Sequence, residues 1–67
     1  MKLREKITLR MDDLQNAMES NRHLHYPEKV LESVYQISKF WPVLSEEDRD
    51  YLQVAQDAIE NETEWQV

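Results

Sequence analysis

His23 and His25 are the two imidazoles of the chain, and they stand two residues apart. Metal-binding histidines on a helix sit at i and i+4, where both project from one face. This pair instead falls in a stretch, Asn21 to Tyr26, that reads as a connection. Glu19 precedes His23 by four positions and would make a Glu–His pair. A zinc site needs three or four ligands in fixed geometry, and the chain has no cysteine to supply them. Both histidines are therefore expected to be solvated, with no metal bound.

The hydroxyl nucleophiles to consider are Ser20, Ser33, Ser38 and Ser45. Ser20 and His23 would meet at i, i+3 on a helix, but nucleophilic catalysis also requires an acidic orienter and an oxyanion site. Glycine is absent. That removes the sharp elbow that presents a serine, and the backbone cradles that hold phosphate. The carboxylate runs Asp12-Asp13 and Glu46-Glu47-Asp48 are adjacent residues, which on a helix point apart and suit a solvated face. The sequence thus predicts no catalytic residue, no cofactor and no enzyme.

Any such residue would have to be positioned by a very small fold. With 67 residues the chain has room for one domain, taken as 1–67. Few isoleucines and valines and the lack of glycine argue against a sheet. Leu3, Ile7, Met11, Leu14 and Met18 step by four, four, three and four, one face of a helix predicted over 3–22. Pro27 suits a first helical turn, and Val30, Val34, Ile37 and Trp41 mark a second helix over 27–40 that Pro42 ends. Ser45 is the expected N-cap of a third helix over 46–61, with Glu46, Glu47 and Asp48 at the positive end of its dipole. Leu52, Ala55 and Ile59 form its stripe, and residues 62–67 are a tail carrying Trp65.

The expected architecture is all-α: a three-helix up-down-up bundle or a helical hairpin assembly, completed by homodimerisation. A chain this size hides only about 60% of its unfolded surface, and without cysteine no disulfide can staple it. The first helix also outruns the second by roughly 10 Å at 1.5 Å per residue. Ile7, Met11, Leu14 and Met18 are therefore the expected self-association surface.

The net charge of −6 is unevenly spread. Lys2, Arg4, Lys6 and Arg10 stand against Glu5 at one end, and eight carboxylates stand against Arg49 over residues 45–67. An up-down-up order would bring Lys2, Arg4 and Lys6 beside Glu46, Glu47 and Asp50, offsetting cations placed at the wrong end of a helix dipole. The third helix has the wrong sign for a phosphate backbone, so direct nucleic-acid binding is not expected. No apolar run approaches 18 residues and no apolar stretch follows the basic start, so neither a membrane span nor a signal peptide is predicted, and the expected location is the cytoplasm.

Phe40, Trp41, Tyr51 and Trp65 are the expected partner-binding residues, since tryptophan and tyrosine are enriched at interface hot spots. The run Lys39-Phe40-Trp41-Pro42-Val43-Leu44-Ser45-Glu46-Glu47-Asp48-Arg49-Asp50-Tyr51, with Ala58-Ile59-Glu60 and Glu64-Trp65 after it, resembles short uncharacterised helical proteins of T4-like cyanophages. The resemblance spans about the last half of the chain and carries no catalytic motif. It implies a phage accessory protein in a bacterial host cytoplasm that modulates a host or phage enzyme. The function expected overall is protein–protein interaction or regulation. Two alternatives stand beside it: an acidic mimic of nucleic acid that inhibits a DNA- or RNA-handling protein, and a structural subunit of a larger assembly.

Overall fold

The computed structural model describes residues 2–65. They form four helices and a 3-10 turn: α1 (Leu3–Glu19), α2 (Arg22–His25), α3 (Pro27–Ser38), the turn Trp41–Val43, and α4 (Glu46–Glu60). No strand occurs among the described residues. The last two residues of the expected tail, 66–67, lie outside them.

The helix boundaries follow from local chemistry. Pro27 occupies the first turn of α3, where its missing N–H leaves no bond unmade. At the other end Phe40 N–H bonds to Ile37 O at 2.9 Å, an i−3 contact that tightens the chain before Pro42. α3 thus stops two residues short of the expected position 40. At the start of α4, Ser45 is extended and its Oγ accepts from Asp48 N–H at 3.2 Å, with three acids in the first turn. α1 lacks any side-chain cap at Lys2. Arg4 instead lines one shallow cleft with Leu44 and Asp48, which brings the cationic start of α1 beside the anionic start of α4.

Twelve buried apolar side chains form one core among the described residues, with Ala17, Leu31, Phe40, Trp41, Tyr51 and Trp65 packed around them. Ile7, Met11, Leu14 and Met18 are all part of this core, and Met18 has no exposed surface at all. This corrects the expectation that their stripe needs a second chain. α1 is about 26 Å long and α3 about 18 Å. The connecting segments supply the missing cover. The stretch expected to be a loop folds as α2 and packs on both α1 and α3. At the opposite end Leu44 is buried beside Ile7.

Several contacts set the register. Arg10 Nη1 donates to Gln36 Oε1, joining α1 to the end of α3, while Ala17 and Val30 line one cleft. No helix among the described residues is long and apolar enough to cross a membrane.

Candidate functional site

α4 ends in a turn that reverses the chain. Thr63 N–H bonds to Ala58 O at 3.1 Å and Glu62 N–H to Ile59 O at 3.3 Å. These are the two bonds of a Schellman motif, with Glu62 at the left-handed position, φ 55°. Glycine usually fills that position, because a Cβ crowds the following carbonyl there. α1 ends in a related way: Asn21, also at φ 55°, donates its N–H to Met18 O at 3.0 Å. Asparagine tolerates this conformation better than most residues.

After Glu62 the chain folds back as a strap, Thr63–Trp65, across the junction of α1 and α2. Two side chains hold its backbone. His23 Nε2 bonds to Thr63 O at 2.6 Å. A carbonyl only accepts, so Nε2 is the donor and carries a proton. Trp65 N–H donates to Asn21 Oδ1 at 2.9 Å. The Trp65 ring lies against Tyr51, centroids 5.1 Å apart and planes tilted by 49°. Val54, half exposed, and Ala58 line a shallow cleft along the strap.

Two polar atoms in this cluster are buried with no hydrogen-bond partner among the described residues: His23 Nδ1 and Tyr51 Oη. His23 is 1% exposed, where a solvated loop histidine was expected. Burial, with the nearby Glu19 carboxylate adding to it, raises the Tyr51 phenol above its ordinary value.

The expected aromatic set divides in two. Tyr51 and Trp65 meet at the strap. Phe40 and Trp41 are half-buried at the 3-10 turn, where Arg49 Nε donates to Trp41 O at 3.0 Å and its guanidinium stands 5.7 Å from the Trp41 ring centroid. Arg49 and Tyr51 are two residues apart on α4 and project to different sides, so these are separate surfaces. His25 is exposed beside Tyr26 and does not join His23. Ser20 is exposed, and no hydrogen bond links it to His23, whose Nε2 is held by Thr63. Among the described residues no three His, Cys, Asp or Glu side chains are placed to hold a metal ion.

The part that Asn21, His23 and Thr63 play in holding the strap escapes sequence reasoning. Four residues of α2 are too few to display a helical period, so nothing marked His23 as internal. Asn21 did carry a signal, since in a chain without glycine an asparagine after a helical stripe is a natural left-handed stop. No protein-family model, curated protein or solved structure matches the chain.

Proposed function

We propose that this chain is a small acidic interaction or regulatory protein, an up-down-up helical bundle that binds another protein and catalyses no reaction. The observation that carries this reading is the meeting of Tyr51 and Trp65 beside the half-exposed Val54, on a core already closed within one chain. Aromatic side chains at the edge of an open apolar cleft are the usual anchors of protein recognition. The up-down-up order is supported by Arg4 and Asp48 lining one cleft, and by the hydrogen bonds of Arg10 with Gln36 and of His23 with Thr63. A phage accessory role in a host cytoplasm is part of the reading and rests on the resemblance alone. Homodimerisation also belongs to it. With the α1 stripe consumed internally, a dimer would use exposed apolar positions such as Leu3, Leu9 and Val43.

The test is capture with the wild-type chain and with Val54→Glu, an exposed change that leaves the core intact. A partner held by the wild type and lost by the variant, with little dependence on salt, supports the reading. A partner held equally by both counts against it.

A second reading has its own support. Glu46, Asp50, Asp57 and Glu60 are all exposed and step by four, seven and three along one face of α4. Such a stripe, about 21 Å long, supports a decoy that occupies a basic nucleic-acid-binding surface. Binding that collapses between low and moderate salt and ignores Val54→Glu would favour it.

A further inference from the structure

The strap and the notch beneath it have the form of a peptide and its receptor joined in one chain. Three consecutive residues are gripped through their backbone by two side chains. One donates to a carbonyl, at Thr63, and one accepts from the N–H two residues later, at Trp65. A single aromatic ring then seats against Tyr51. Nothing in the two hydrogen bonds depends on which chain supplies the peptide.

The strap is also poorly optimised as a permanent fixture. Glu62 holds the reversal in a left-handed conformation that costs a residue bearing a Cβ. His23 Nδ1 and Tyr51 Oη, in the two residues the strap touches, are buried without partners among the described residues, and each would gain a hydrogen bond if water or another ligand reached it. All three features lower the cost of lifting the strap. Lifting leaves the core helices joined by their own contacts, because α3 packs on α1, α2 and α4 independently.

We infer that the notch formed by Asn21, His23, Tyr51, Val54 and Ala58 is a binding site for an extended, tryptophan-bearing peptide segment of a partner protein, and that residues 63–65 are its intramolecular placeholder. The occupant is specified by the strap itself: a backbone carbonyl, a free N–H two residues on, and an indole carried by that second residue. This inference rests on the interaction reading above and gives it a partner chemistry and a means of regulation, since partner and strap compete.

The experiment titrates the ¹⁵N-labelled full-length chain with a capped peptide, Asn-Glu-Thr-Glu-Trp, following amide shifts. Three chains are compared: wild type, Trp65→Ala and Glu62→Gly. A tethered competitor acts at an effective concentration near the millimolar range. The Trp65→Ala chain should therefore bind the peptide at least about tenfold more tightly than wild type. Glu62→Gly, which relieves the left-handed strain and favours the closed strap, should bind it about threefold more weakly. Shifts should centre on Asn21, His23 and Tyr51. Equal binding by all three chains, or shifts that leave Asn21 and His23 unmoved, would overturn the inference. Should Trp65→Ala fail to fold, the Glu62→Gly comparison decides alone. A partner lost by Val54→Glu but captured equally well by wild type and Glu62→Gly would overturn the notch while leaving the interaction reading intact. Peptide binding in the expected order without any captured partner would do the reverse.

Discussion

Replacing Glu62 by glycine should make this protein more stable, although glycine ordinarily weakens a fold. Glu62 sits at φ 55° in a turn whose two reversing bonds, to Ile59 O and Ala58 O, fix that conformation. A residue with a Cβ pays roughly 1–2 kcal/mol to stay there. Glycine does not, but its freer unfolded chain returns about 0.4–1 kcal/mol of that gain. The net expectation is about 0.5–1 kcal/mol of added stability. At roughly 2.1 cal/mol/K per residue, the unfolding entropy of 67 residues is near 0.14 kcal/mol/K, so Tm should rise by about 4–7 °C. Glu62 also places a negative charge at the negative end of α4, an effect of about 0.3–1 kcal/mol that must be separated. Glu62→Ala removes the charge and keeps the conformational cost, so the difference between the two variants isolates the backbone term. Glu60→Gly, inside the last turn of α4, should be destabilising by about 1 kcal/mol. Thermal unfolding followed by far-ultraviolet circular dichroism measures all three. A Glu62→Gly chain no more stable than Glu62→Ala would refute the strained-turn argument.

The other predictions concern the same end of the molecule and the opposite one. Asn21→Gly keeps the left-handed turn and loses only the bond from Trp65 N–H, whereas Asn21→Ala loses both; urea denaturation should place the alanine variant about 1 kcal/mol below the glycine variant. Tyr51→Phe removes a buried hydroxyl without a partner and should be at least as stable as wild type near neutral pH. The folded Tyr51 phenol lies above the unfolded value of 10.0, so the unfolded chain ionises first and wild-type stability should fall as pH rises beyond 10.0; denaturation at rising pH should show a shallower decline for Tyr51→Phe. Reversing Lys2, Arg4 and Lys6 to glutamate should lower Tm at low salt and do so less at high salt, because these exposed cations share an end with Asp48.

What the sequence made legible is what periodicity and capping encode. The α1 stripe from Ile7 to Met18 is buried as its spacing required, Pro27 opens α3, and Ser45 caps α4 through Asp48. These signals are local: each depends on residues within a turn or two. The strap is not local. Its hydrogen bonds join positions 40 and 44 apart in sequence, and each relies on one polar side chain rather than on a repeated pattern. The expected shortfall in cover for α1 failed for the same reason, since it treated the connection after Asn21 as a loop. An internal histidine in a four-residue helix leaves no trace in a hydrophobic pattern, and neither does a glutamate forced to positive φ.

The strap links stability and binding in one quantity. Whatever free energy holds Thr63–Trp65 closed is added to the fold when no partner is present and subtracted from the affinity of any partner that takes their place. Hydrogen exchange at the Trp65 amide measures that quantity directly, because this N–H has a single protein acceptor, Asn21 Oδ1, and is freed whenever the strap lifts. If lifting is local, the Trp65 amide should exchange far faster than that of Leu52, which is buried in the core and is expected to open with the whole fold. If the two exchange at one rate, the strap opens only when the protein unfolds. The notch would then be a sealed part of the core, and partner recognition would have to use Val54 and the acidic face of α4 alone.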